Sequence, residues 1–275
     1  MSNAAVDPIE QFENERREAI AGYKDDTSWK KTSGKWLEDA FRQKYMYNFS
    51  WMGRPIIQLP ADMVAFQEIV WDVKPDLIIE TGIAHGGSLI LSASMLALLD
   101  YCDAIRDGTV LDPKKPKRRV IGIDIDIREH NKQAMLSHPL AGAIDMIEGS
   151  SIAGETIERV RKAAEGYSRV LVCLDSNHTH DHVLAELEAY APFVSKGSYC
   201  IVFDTLVEDL PGDTFTDRPW SPGNNPKTAV YAYLDHLKRD GSKGKDGQPL
   251  NFEIDKDIEA KLLLNVTPDG FLRRV

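Results

Sequence analysis

The sequence predicts an α/β protein: a doubly wound, mostly parallel sheet with helices on both faces and an antiparallel hairpin at the C-terminus. Three observations carry that expectation. From about residue 62, short runs rich in Val, Ile and Leu alternate with longer segments of helical apolar spacing. The short runs are apolar almost without a break, as strands covered on both faces must be. They stop at Gly, Ser or Asp, where a chain leaves a sheet.

The elements follow in order. Residues 1–61 are rich in charge and aromatics, among them Tyr23, Trp29, Trp36, Tyr45, Tyr47, Phe49 and Trp51. They are expected to form one helix and an irregular segment, an extension laid over the larger unit at 62–275. Asp62 is a candidate cap for a helix through MVAFQEIVWDV. DLIIET (76–81) is the first strand of the alternation, and Ser88–Leu99 the helix after it. RRVIGID (118–124), IDMIEG (144–149), RVLVCLD (169–175) and SYCIVFD (198–204) are the next four strands. Helices are expected near 129–137, at 153–166 and at 182–194. A long loop rich in Pro, Gly, Asp and Asn covers 205–227, the length of a lid or binding loop. TAVYAYLDHLKR (228–239) is a helix. AKLLLNV (260–266) and GFLRRV (270–275) are expected to pair as a hairpin about the TPDG turn.

Composition excludes several classes. Length suits one large domain or two small ones. With 43 acidic against 33 basic residues the net charge is −10, which disfavours a sequence-independent nucleic-acid binder. Cys102, Cys173 and Cys200 are too few and too scattered for a disulfide framework or a zinc knuckle. Cys173 and Cys200 lie in apolar runs and read as core. No uninterrupted apolar stretch reaches the roughly 18 residues of a membrane span. No apolar leader opens the chain, so a cytoplasmic location is expected.

The segment LIIETGIAHGGS (77–88) joins a strand, a glycine-rich turn and the start of a helix. Such turns let a backbone approach a ligand, and a helix N-terminus offers free N–H groups. The dinucleotide fingerprint fails at Ala84, and Glu80 repels a pyrophosphate. A ligand with positive charge and no phosphate fits better, and S-adenosylmethionine is one. The expected cofactor residues are Glu80, Thr81, Gly82, Ala84, His85, Gly86, Gly87 and Ser88. Asp124, with its neighbour Ile125, is placed to bind ribose hydroxyls. Gly149, Ser150 and Ser151 are placed at an adenine edge.

Two more strand ends carry carboxylates. Asp175 and Asp204 end what are expected to be adjacent strands, whose carboxyl ends face one crevice. Two such groups hold a divalent, oxygen-loving metal. His178 follows Asp175 by three residues, within reach of an acceptor hydroxyl, and is the candidate general base. His180 and His182 have no assigned role. An iron hydroxylase built on the HTHDH segment is the competing enzyme reading.

IIETGIAHGGS, LDSNHTHDHVLAELEAYAPFVSKGSYCIVFDT and WMGRPIIQLP resemble the cephalosporin-hydroxylase-like family over roughly residues 45–275. That family contains S-adenosylmethionine-dependent O-methyltransferases, including macrolide sugar and rhamnosyl methyltransferases. The resemblance implies a Rossmann-like class I methyltransferase fold, a Mg²⁺ site at Asp175 and Asp204, and His178 as base. It implies Glu80, Gly82, Gly86 and Gly87 at the cofactor, with Asp175 serving both cofactor and chemistry. The family has a Glu-Asp pair at the end of the fifth strand; this chain has Phe203-Asp204 and so lacks one anionic ligand. A cofactor-binding protein that has lost its chemistry is therefore the second competitor. The expected partners are a small-molecule acceptor bearing a sugar hydroxyl and further copies of the chain.

Overall fold

The computed structural model describes residues 7–275. Residues 1–6 of the N-terminal extension lie outside the described residues. The extension holds two helices rather than one, α1 (Pro8–Asp25) and α2 (Thr27–Arg42). The Asp26 carboxylate accepts from Trp29 N at 2.8 Å and starts the second, which is why the break falls there. A short hairpin follows, β1 (Phe49–Trp51) with β2 (Arg54–Ile56).

Helix α3 (Pro60–Val73) begins two residues before Asp62. Proline suits the first helical position, and Asp62 therefore sits inside the first turn, not at its cap. Its carboxylate is buried and accepts from Val266 N at 3.1 Å, tying the helix to the C-terminal segment.

The main sheet has seven strands in the order β5-β4-β3-β6-β7-β9-β8. They are β3 (Leu77–Thr81), β4 (Arg119–Asp124), β5 (Ile144–Glu148), β6 (Val170–Leu174), β7 (Tyr199–Val202), β8 (Phe252–Ile254) and β9 (Phe271–Arg274). The first five are parallel. The intervening helices are α4 (Gly87–Asp107), α5 (Glu129–Leu136), α6 (Gly154–Ala163) and α7 (His180–Tyr190). Helix α8 (Pro226–Asp240) follows the long loop, and α9 (Lys256–Leu262) lies in the tail.

Two cores flank the sheet. Ile78, Cys173, Ile201 and Phe203 face α3 and α4, while Leu77, Val172, Cys200 and Val202 face α6, α7 and α8. Period-2 alternation sorts the strand residues between them. The cysteines are free, and Cys173 and Cys200 are buried.

The antiparallel C-terminal pair exists, but its members differ from the expected hairpin. β9 pairs with β7 on one side and with β8 on the other, and α9 fills the connection. Lys261–Leu262 end a helix instead of starting a strand. Asp255 caps that helix, accepting from Asp257 N and Ile258 N at 3.1 Å.

Helix α4 runs eight residues beyond the C-terminal end of its expected span, reaching Asp107. By length and composition alone it is apolar enough to cross a membrane, although Ser92, Ser94 and Asp100 interrupt its apolar run. Its most apolar window is 61% buried inside the protein, against the sheet.

Candidate active site

The topology decides where a site forms. β3 sends its chain to α4 on one face, and its neighbour β6 sends its chain to α7 on the other. Their carboxyl ends therefore flank a switch point, where a crevice opens. Register makes those ends flush: Thr81 lies beside Leu174, and Leu174 beside Val202. The residues just beyond are Gly82, Asp175 and Phe203. A cavity of about 800 Å³ opens there. That is the size of a small-molecule site.

Gly82 is at φ +89, and a Cβ on it would collide with the Asp175 carbonyl. Only glycine lets the turn pass so close to β6. Ala84 at φ +45 and Gly86 at φ +85 continue the left-handed path. The turn is held from both sides. Asp124 Oδ2 accepts from Ile83 N at 2.8 Å and Ala84 N at 3.2 Å. On the opposite side the Arg54 guanidinium donates to His85 O at 2.9 and 2.6 Å, and to Asn131 Oδ1 at 2.9 Å. Asn131 Nδ2 in turn donates to Ala84 O at 3.1 Å. A Cβ on Gly87 would strike the Pro55 carbonyl, so the N-terminal hairpin seats directly on the start of α4.

The other expected cofactor residues are distributed as follows. Gly82, Ala84, His85, Gly87 and Ser88 line the cavity. The Gly86 backbone is buried, and Thr81 lies beneath it with its carbonyl accepting from Asp175 N at 3.0 Å. Glu80 is buried between β3 and α4 and accepts from Ser92 Oγ at 3.3 Å. Among the described residues its Oε1 has no atom in hydrogen-bonding geometry. Burial pushes its pKa up to about 7, with the Ser88 and Ser92 hydroxyls opposing. Asp124 braces the turn rather than facing open space, and the Ile125 side chain is largely exposed. Gly149 donates its N–H to Asp124 O at 2.8 Å, and the Ser150 carbonyl turns the chain into α6. Ser151 Oγ lies 3.0 Å from His182 Nε2.

Asp175, His178 and Asp204 come together, with one ligand atom from each inside a 4.8 Å cluster. His178 Nε2 is 3.1 Å from Asp204 Oδ2. Burial, with the Asp204 and then the Glu80 charge, holds the Asp175 carboxyl well above the usual range. Phe203 is buried on the same face and lines the cavity beside them. Glu208 is turned away, accepting from Gly223 N at 2.7 Å and from Asn225. His180 leaves the cavity for Thr228 Oγ1 at 2.8 Å, and His182 sits near Glu186 at 3.5 Å. The three histidines therefore do not converge, and HTHDH builds no two-histidine iron site.

Sequence reasoning missed Arg54, Asn131, Arg218 and Trp220. Trp220 meets His178 edge-on with ring centroids 4.8 Å apart, and Arg218 lies 5.3 Å from the Trp220 centroid. The long loop that carries them is anchored to the extension through Phe41–Phe215 and Arg42–Asp213. Its Pro and Gly content marked a functional loop, but nothing local marked the anchor.

The sequence model of the family described as rhamnosyl O-methyltransferase/CmcI matches residues 43–275. The rhamnosyl O-methyltransferase of Mycobacterium tuberculosis (strain ATCC 25618 / H37Rv) is 26% identical over 247 residues, 86% of this chain and 85% of that protein. The protein of the same name from Mycobacterium leprae (strain TN) is 26% identical over 244 residues, 86% of this chain and 90% of that one. A solved structure of CmcI with Mg and SAM matches at a TM-score of 0.50 and 17% identity, over 83% of this chain and 77% of that one. That likeness is one of fold.

Proposed function

The chain belongs to the rhamnosyl O-methyltransferase/CmcI family, an S-adenosylmethionine-dependent O-methyltransferase family, and we propose that it methylates a hydroxyl of a sugar or glycosylated small molecule. The single observation that carries this reading is the Asp175–His178–Asp204 cluster in the same cavity as the glycine-rich turn.

The cofactor fits the residues present. Glu80 Oε1 is buried without a partner, a place for the ammonium end of S-adenosylmethionine. The α4 N-terminus and the turn supply backbone donors around it. When bound, the cofactor supplies an electrophilic methyl group. Asp124, Arg54 and Asn131 hold the turn in one strained shape before it arrives. That preorganisation lowers the cost of binding.

A divalent cation fits as well. Two carboxylates share a half-buried site, and burial, with the neighbouring Asp204 charge, pushes Asp175 toward its protonated form. Asp175 and Asp204 would hold Mg²⁺, with waters and the acceptor completing its oxygen shell. Its chemistry there is to lower the pKa of the acceptor hydroxyl. Phe203 contributes no ligand, and Glu208 is engaged elsewhere, so the site has fewer anionic donors than its relatives' pattern.

His178 takes the hydroxyl proton. Asp204, 3.1 Å from Nε2, orients the ring and stabilises the imidazolium that forms. The Trp220 edge fixes the ring from the loop side. Holding hydroxyl and methyl group in line supplies much of the acceleration.

Incubation with S-adenosylmethionine and a panel of glycosides tests the reading. The expected product is heavier by one methylene, about 14 mass units, against about 16 for hydroxylation. Release of S-adenosylhomocysteine from no acceptor, together with absence of cofactor binding, would sink it.

A further inference from the structure

The cavity lining carries both signs of charge. Asp175 and Asp204 cluster around His178. Lys44 and Arg218 line the same cavity, together with Phe41, Phe215 and Trp220. Arg42 beside them is already paired, to Glu38 at 3.3 Å and Asp213 at 3.2 Å. Among the described residues neither Lys44 nor Arg218 has a carboxylate within ion-pair distance, and Asp217, which also lines the cavity, pairs with neither.

Arg218 has an aromatic contact instead. Its guanidinium lies over the Trp220 ring, and Trp220 abuts His178, so the two contacts keep the guanidinium no more than roughly 10 Å from the imidazole. That limit is no longer than one sugar ring and its linking atoms. In a chain of net charge −10, unpaired cations in an aromatic-lined cavity concentrate positive potential locally.

We infer that the acceptor carries an anionic group, a phosphate or a carboxylate, no farther than about one sugar ring from the hydroxyl that is methylated, and that Arg218 with Lys44 receives it. The inference rests on the O-methyltransferase reading and adds the acceptor's charge to it. A planar guanidinium matches both anions through paired N–H donors. Asp175 and Asp204 repel the same group, so the charges favour one orientation: anion at Arg218 and Lys44, hydroxyl at His178. A neutral glycoside offers nothing for these two cations to bind.

The test uses the full chain saturated with S-adenosylhomocysteine. Three probes are titrated calorimetrically at low ionic strength: uridine diphosphate glucose, methyl glucuronide and neutral methyl glucoside. One charged probe is expected to bind roughly 10- to 100-fold tighter than the neutral one, and which one binds identifies the anion. Arg218→Ala should erase that preference, Arg218→Lys should keep part of it, and Lys44→Ala should reduce it. S-adenosylhomocysteine affinity should stay unchanged in all three variants and serves as the control for folding. Equal affinity for charged and neutral probes, absence of binding by both charged probes, or a preference that survives Arg218→Ala overturns the inference. If wild-type protein fails to bind S-adenosylhomocysteine, the methyltransferase reading itself fails instead.

Discussion

The imidazole of His178 lies 3.1 Å from the Asp204 carboxylate, although a helix and a strand separate the two residues along the chain. The pairing exists because β6 and β7 are parallel neighbours in register, so the residues after each strand emerge side by side. Asp204 sits at φ +56, a left-handed conformation that turns its side chain back over the sheet edge. A base needs such a partner to fix its tautomer.

His178→Ala should lower turnover by roughly 10²- to 10⁴-fold and leave S-adenosylmethionine affinity nearly unchanged. Asp204→Asn should lower turnover by a smaller factor and shift the pH–rate profile, because the ring keeps a neighbour but loses its charge. Steady-state rates with calorimetric cofactor affinity check both. Full activity in the alanine variant would eliminate His178 as the base.

Metal dependence should be present but weak. Phe203→Glu should tighten Mg²⁺ binding, since the side chain at that position already borders Asp175 and Asp204 in the cavity. Asp204→Ala should abolish it. Glu208→Ala should leave it unchanged, because Glu208 is held by Gly223 and Asn225. A Mg²⁺ titration of the three variants decides this. Undiminished turnover in excess chelator would remove the metal from the mechanism.

Arg54→Ala should weaken S-adenosylmethionine and S-adenosylhomocysteine alike, by about tenfold, with kcat at saturating cofactor little changed. The guanidinium holds the His85 carbonyl and the Asn131 side chain that holds Ala84 O, so its loss loosens the turn. Arg54→Lys should recover part of the affinity. A fall in kcat with intact cofactor affinity would contradict this role.

Cofactor binding should release a proton from Glu80. Its folded pKa is about 7, above the ordinary 4.5, because of burial. Between those values the folded protein holds a proton that the unfolded chain has lost. Stability of the free protein therefore declines as pH rises through that window. A cationic ligand favours the ionised carboxylate, so the stabilisation by S-adenosylmethionine should grow over the same rise. Thermal shifts at about pH 5.5 and 7.5 measure it, and Glu80→Gln should flatten the difference. A difference that persists in the glutamine variant would refute the assignment.

Much of the site was legible because it sits on strand ends. Apolar runs located β3, β4, β6 and β7 to within a residue or two, and the residues just after β3, β6 and β7 line the cavity. The tail was misread for a physical reason. KLLLN is apolar enough for a strand, but Asp255 caps a helix that ends there, and Phe252–Ile254 takes the edge position instead. Helix caps act locally, whereas edge pairing depends on what already lies beside the strand.

The sequence by itself determined the alternation of elements, the glycine turn after β3 and the carboxylates that end β6 and follow β7. These are local properties, written in periodicity and in the few residue types a turn tolerates. Tertiary structure alone decided which of three closely spaced histidines meets the Asp204 carboxylate. It sent His178 to Asp204, His180 to Thr228 and His182 to Ser151. It also brought Arg54 to the cofactor turn and Arg218 to Trp220. Such contacts join residues far apart in the chain, and they form only once the packing of one segment on another has fixed both ends.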